Sequence, residues 1–216
     1  MLWKLTLAAA LTLTALGLTP QPLRAEDTAS TQTPVTAPAE IKIPDMVLGK
    51  EDAPLTVTEY ASYTCPHCAN FHDTVFEKFK ANYIDTGKVR FVYREVYFDK
   101  YGLWAAMVAR CGGDMRYFGI SDILYSTQRD WLASGNDAGI ADALRKVGLT
   151  AGLDKAQLDA CMNDGATAQA MVTTYQANAT ADKIEGTPSF IINGKLYSGE
   201  MTYEDFAKIV DEQLKG

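Results

Sequence analysis

Positive charge is scarce in this chain: 20 lysines and arginines face 27 aspartates and glutamates, a formal net charge of −7. A polyanion is held by a basic face, so nucleic acid is set aside as a partner. Histidine is scarcer, with only His67 and His72, and there is no second Cys-x-x-Cys. Little material is therefore left for an imidazole-rich or thiolate-rich metal site. The uncharged run Leu5 to Leu18 has 14 residues, short of the roughly 20 that a membrane-spanning helix needs. No cysteine follows that run closely, which speaks against a lipoprotein anchor, and no internal repeat is found.

What the run does fit is an export signal. Lys4 supplies a short positive start, Leu5 to Leu18 the apolar stretch, and Leu23-Arg24-Ala25 ends on a small residue where cleavage is expected. A retained anchor is the alternative. Cleavage would remove Lys4 and Arg24 and no acid, taking the charge from −7 to −9. Residues 26–40 hold no aromatic and one large aliphatic residue. They cannot bury enough to order themselves and read as a flexible leader, with the folded part starting near Ile41. Cys65, Cys68, Cys111 and Cys161 all lie beyond the expected cleavage point. An exported chain meets an oxidising compartment, where even numbers of cysteines pair.

Leu55 to Ala61 alternates and is rich in β-formers, which predicts a strand. Cys68, Phe71, Val75 and Phe79 then recur at steps of three and four, one face of a helix. Pro66 suits its first position, because the missing N–H would be unpaired there anyway. Cys65 thus falls at the helix start and Cys68 one turn in, on the buried face. A second strand is expected over Val89 to Val96. From Gly102 to Ala181 helix formers dominate. Leu103, Trp104, Met107, Val108 and Cys111 share one apolar face that ends at Gly112-Gly113. Asp154 and Gln157 are spaced as a capping box before Leu158, Cys161 and Met162, and Met171, Val172, Tyr175 and Ala179 mark another helix. Ser189 to Ile192, Asn193-Gly194 and Lys195 to Ser198 read as a hairpin, since both central positions of its turn need positive φ. Thr202 caps a last helix carrying Phe206, Ile209, Val210 and Leu214.

Two cysteines spaced this way at a helix start can exchange disulfides, bind a metal or staple a turn. The unpaired N–H groups and the helix dipole favour a thiolate at Cys65, and the thiolate is the reactive form. A protonated His67 adds to this. Zinc, held by Cys65, Cys68, His67 and His72, would need both imidazoles beside one helix turn. An inert staple fits less well, because a strained, partly exposed pair is the labile kind. Glu59 shares a strand face with Leu55, Val57 and Ala61. Buried there, its carboxyl would have a raised pKa and could take a proton from Cys68, which is the favoured reading; the alternative is a register or edge effect that leaves it wet. Gly186-Thr187-Pro188 leads into a strand, where a proline costs no ladder bond. Taken alone, it favours a trans turn.

Glu59-Tyr60-Ala61-Ser62-Tyr63-Thr64-Cys65-Pro66-His67-Cys68, with the later Thr187-Pro188 loop, resembles the DsbA family of thioredoxin-fold proteins, from about Val47 to Leu214. The resemblance implies an α/β thioredoxin fold with an inserted α-helical domain. Signal peptide 1–25 and leader 26–40 would precede a thioredoxin-fold domain over 41–101 and 182–216, with the insertion over 102–181. It implies that Cys65 is the exposed nucleophile and Cys68 the resolving thiol. Pro188 is then a cis-proline facing the disulfide, and Thr187 the residue that tunes it. Thiolate stabilisation makes the disulfide more oxidising: roughly 3 pKa units correspond to about 4 kcal/mol, or on the order of 90 mV, a relation for which DsbA is the known worked example.

Cys111 and Cys161 go beyond the active-site pair that some relatives carry. Two free buried thiols are one reading. In an oxidising compartment, two apolar helix faces that pack together favour a structural bridge. Its loop of 51 residues, counting both ends, would contribute roughly 4 kcal/mol in the chain-entropy model. The expectation is therefore a periplasmic, monomeric disulfide donor to unfolded or reduced exported proteins, with no cofactor or metal and a DsbB-type membrane reoxidant. An isomerase or reductase, a metal carrier and a holdase-like chaperone are the alternatives.

Overall fold

A computed structural model describes residues 41–215. The expected signal peptide and leader lie outside the described residues. Strands β1 (Met46–Leu48), β2 (Leu55–Ala61), β3 (Val89–Glu95), β4 (Ser189–Ile192) and β5 (Lys195–Ser198) form one mixed sheet in the order β1-β3-β2-β4-β5. β2 is central. It runs parallel to β3, with Glu59 opposite Tyr93, and antiparallel to β4, with Glu59 opposite Phe190. A strand flanked on both sides and covered on both faces buries successive residues, so Tyr60 is as buried as Glu59. The β4–β5 turn has positive φ at Asn193 (52°) and Gly194 (75°), the backbone its sequence anticipates. β1 has no counterpart in the sequence reading, since three residues at a sheet edge are too few to show alternation.

The helix after Cys65 runs unbroken over 66–84 as α1, but not as a regular α-helix. α-Helical turns at Pro66–Phe71 and Glu77–Phe79 alternate with wider π-helical turns at His72–Phe76 and Lys80–Ile84. Each wide turn rotates the following residues relative to a 3.6-residue repeat. Besides the expected Cys68, Phe71, Val75 and Phe79, the buried face takes in His72, four residues beyond Cys68, and Phe76 at the end of the first wide turn. Phe71 packs on Phe190 of β4 (ring centroids 4.7 Å) and, at 5.3 Å, on Phe206 of the last helix, which is capped by Thr202. These contacts pin α1 to the sheet.

Between β3 and β4 the chain forms α2 (Lys100–Cys111), α3 (Asp114–Ser126), α4 (Gln128–Leu132), α5 (Asp137–Thr150), α6 (Lys155–Met162) and α7 (Gly165–Ala181), followed after β5 by α8 (Tyr203–Gln213). α2 packs against α3, α5 and α6. Its deepest residues are Ala105, Ala106, Val108 and Ala109, whereas Leu103 and Trp104 are half-buried. Small side chains are what allow neighbours to approach that closely. The capping box at α6 forms only by half: the Asp154 carboxylate accepts from the Gln157 N–H, but the Gln157 side chain donates instead to the Cys111 carbonyl at 2.8 Å. Cys111 and Cys161 form a disulfide with Cα atoms 5.9 Å apart, joining α2 to α6. The sheet, its flanking helices and the segment between β3 and β4 make this a thioredoxin fold with an inserted α-helical domain.

Candidate active site

β2 ends at Ala61, and the turn that follows delivers Cys65 to the start of α1. Cys65 is the capping residue, with extended backbone (φ −83°, ψ 119°), and Pro66 is the first helical residue. Three hydrogen bonds hold this turn: the Cys65 N–H donates to the Ser62 carbonyl (3.1 Å), and the Gln128 amide donates to the carbonyls of Tyr63 (2.8 Å) and Cys65 (3.0 Å). Cys65 and Cys68 are both free thiols. The expected exposure of Cys65 needs correction, because the residue is only 9% accessible while Cys68 is wholly covered. The loop before β4 lies against its sulfur. Thr187–Pro188 is a cis peptide bond, and the Thr187 carbonyl accepts from the Cys65 thiol at 3.5 Å.

The two thiols are pushed in opposite directions. Cys65 is lowered to about 5, first by a hydrogen bond from the Cys68 thiol, against the opposing effect of burial, then by the Thr187 side chain and the backbone N–H groups of Cys68 and His67. Burial pushes Cys68 far up, and its hydrogen bond to Cys65 and the Cys65 charge add to this. His67 stands in solvent. Its Nδ1 contacts Glu200 Oε2 at 2.8 Å, which raises its pKa, and the Asn70 amide holds the other Glu200 oxygen. As an exposed pair, His67 and Glu200 contribute little to stability.

Glu59 is fully buried, and its Oε2 meets Nε2 of His72 at 3.1 Å. The two histidines thus part company, one outward to Glu200 and one inward to Glu59. Among the described residues, no three of His, Cys, Asp and Glu cluster as a metal site. The Glu59–His72 contact leaves a trace in the sequence: His72 follows Cys68 by four residues, on the same helix face. Gln128 and Glu200 leave none, lying 63 and 133 positions from Cys65 and His67, their respective partners. Nor does the buried cluster beneath the turn. There Arg110 grips Glu95 through two bonds (2.7 and 2.6 Å), Tyr117 donates to Glu95 (2.7 Å), and Tyr63 donates to Tyr117 (3.0 Å).

A reduced dithiol at a helix start, with a cis-proline loop against its first sulfur, defines a dithiol protein on the thioredoxin fold. A family model described as Thioredoxin matches residues 42–212, and the chain belongs to that family, as a DsbA-like member. It is similar to a Rickettsia felis protein provisionally named a protein-disulfide oxidoreductase, at 34% identity over 183 residues, covering 84% of this chain and 64% of the relative. It is similar to disulfide bond formation protein D of Bacillus subtilis, at 26% identity, covering 79% of this chain and 77% of that protein. The crystal structure of Wolbachia pipientis alpha-DsbA1 superposes with a TM-score of 0.73 at 28% identity, over 81% of this chain and 94% of that one. The chain spans 64% and 57% of the length of two Rickettsia relatives.

Proposed function

We propose that the chain is a thiol-disulfide oxidoreductase that donates a Cys65–Cys68 disulfide to exported proteins. The observation that carries this reading is the unequal placement of the two thiols: Cys65 caps the helix start against the cis Thr187–Pro188 loop and is lowered to about 5, whereas Cys68 is wholly covered and raised by burial. A thiolate exists at Cys65 only when the pair is reduced, so its stabilisation favours the reduced form and makes the disulfide an oxidant.

A client thiolate attacks Cys65 Sγ, since Cys68 is wholly covered. The Cys65–Cys68 bond breaks, a client–Cys65 bond forms, and Cys68 leaves with the electron pair and takes up a proton. A second client thiolate then attacks the client sulfur of that mixed disulfide, and Cys65 departs as the stabilised thiolate. The client has lost two electrons and the protein has gained them. Pro66 fixes the helix start, His67 adds positive charge beside Cys65 when protonated, and Thr187 and Pro188 flank the attacked sulfur. Glu59 exchanges the proton of Cys68. In this reading the protein works as a monomer in the periplasm, and a DsbB-type membrane partner removes the two electrons. Among the described residues no helix is long and apolar enough to cross a membrane.

Cys68→Ser tests the assignment. It should accumulate a client mixed disulfide through Cys65, whereas Cys65→Ser should form none and catalyse no disulfide formation in a reduced client. A trap through position 68, or a reduction potential of the pair as low as that of a structural disulfide, would overturn the reading.

A further inference from the structure

Glu59 is sealed from water, yet a group that trades protons with Cys68 must trade them with solvent as well. Among the described residues its only side-chain hydrogen bond runs to His72. The second heteroatom of each partner, Glu59 Oε1 and His72 Nδ1, is buried and has no hydrogen-bond partner among those residues. Burying polar atoms unpaired is costly and calls for an explanation beyond packing. His72 itself is held firmly. Tyr125 stacks on it (centroids 4.2 Å, 18° between planes), Phe76 lies at 4.6 Å, and Tyr93 presents its edge at 6.0 Å. Unlike Glu59, His72 keeps slight exposure (7%) and forms part of the wall of a surface cavity with Asp73, Glu77, Asp122 and Ser126, although its Nδ1 is itself covered.

We infer that His72 is the proton partner of Glu59, a positioning residue that acts through Glu59 on Cys68 and connects the buried carboxyl to the surface cavity. The inference rests on the disulfide-exchange reading. A carboxylate beside an imidazolium, or a carboxylic acid beside a neutral imidazole, is neutral overall as a pair. A proton can pass between Oε2 and Nε2 without creating net charge in a region where charge is costly. Starting from carboxylate and imidazolium, when Cys68 must attack its S–H proton goes to Glu59, and His72 gives up the proton of its covered Nδ1, which leaves for solvent as side-chain motion opens the ring to the adjoining cavity. The pair ends neutral, with Cys68 as thiolate. When Cys68 leaves a broken disulfide the same steps run in reverse. The titratable and charged groups facing His72 are Glu59 from β2, Tyr93 from β3, Tyr125 and Asp122 from α3, and Cys68, Asp73 and Glu77 on its own helix. No lysine or arginine lines the cavity wall that the ring shares.

The test separates the two thiols. Reduced protein is mixed with glutathione disulfide, and two steps are followed across pH: attack by Cys65 to form a mixed disulfide, and closure by Cys68 to release glutathione. His72→Gln keeps a donor near Glu59 but cannot carry a proton. It should leave the Cys65 step unchanged and slow closure by about tenfold or more near neutral pH, as loss of a proton-transfer group does. Closure should recover at alkaline pH, where hydroxide removes the Cys68 proton directly. An unchanged closure step, or an equal loss in both steps, would overturn the inference. If the unaltered protein forms no mixed disulfide at all, the exchange reading itself falls, and this result is distinct from the others. Should His72→Gln fail to fold, the imidazole nitrogen NMR shifts of His72 in the unaltered protein decide: they should change protonation state between the oxidised and reduced forms, and identical shifts overturn the inference.

Discussion

The first cause of the low pKa of Cys65 is a hydrogen bond from Cys68, so deleting that donor should move the thiol most. A hydrogen bond to a charged group is worth about 1.5–3 kcal/mol, which converts to about one to two pH units. Cys68→Ala should therefore titrate at about pH 6–7 rather than about 5. Cys68→Ser, which keeps a donor, should stay close to the unaltered value. The assay is ultraviolet thiolate absorbance followed from acid to alkali in the reduced proteins. Stability gives an independent readout. Because the folded value lies below the ordinary one of 9.0, ionised Cys65 stabilises the reduced fold fully above about pH 9. That contribution is lost as pH falls toward 5. At pH 7, two pH units above the folded value, it amounts to about 3 kcal/mol, equivalent to about 60 mV in the potential of the pair. The reduced form should thus gain stability over the oxidised form between pH 5 and 9, and Cys68→Ala should reduce that gain. Equal titration midpoints in the Ala and Ser variants, or an unaltered midpoint near 9, would refute the reasoning.

Other residues give further expectations. Arg110→Met leaves Glu95 buried without its cation, and chemical denaturation should show a loss of about 3 kcal/mol, the cost of breaking a buried pair. Gln128→Leu frees the Tyr63 carbonyl and leaves the Cys65 carbonyl with only the Ala69 N–H. It should cost about 1–3 kcal/mol and loosen the turn, read as faster amide exchange at Cys65 and Cys68. Replacing both Cys111 and Cys161 by Ala should lower stability by up to about 4 kcal/mol in the chain-entropy model while leaving the Cys65 titration midpoint in place. A double variant as stable as the parent would assign the bridge no role in stability.

What could be read from the sequence was local. β2 carries its alternation within the strand, β4 and β5 flank a hairpin turn, and the observed bounds of all three are those expected. The hairpin turn is written in Asn193-Gly194, which adopt the positive φ that dipeptide permits. Glu59 could be assigned to a covered face because strand side chains alternate. Helix α1 was legible as a helix but not in its detail. A 3.6-residue repeat cannot reveal π-helical turns, the first of which begins at His72. Likewise β1 exists because β3 offers it an edge, not because Met46-Val47-Leu48 demands a strand.

The site's remaining partners depend on the insertion, and there the sequence is silent for a physical reason. Cys65 and Cys68 make opposite demands: the first must be met by donors, the second by burial. A helix start supplies donors by itself, and a helix interior against a sheet supplies burial by itself, so both are visible in Cys65-Pro66-His67-Cys68. Neither fixes the turn between β2 and α1, whose Tyr63 carbonyl no strand or helix satisfies. Gln128 from α4 does that. Tyr63 in the same turn is tied through Tyr117 to Glu95 and on to Arg110, which also reaches the Pro44 carbonyl. The inserted helices are therefore part of the redox centre's frame. They hold rigid the segment in which a shift of the Cys65 sulfur would break its contacts to Cys68 and Thr187. Polar side chains scattered over a helical block carry no sequence mark of that duty, because each becomes specific only when the block folds back onto the strand end.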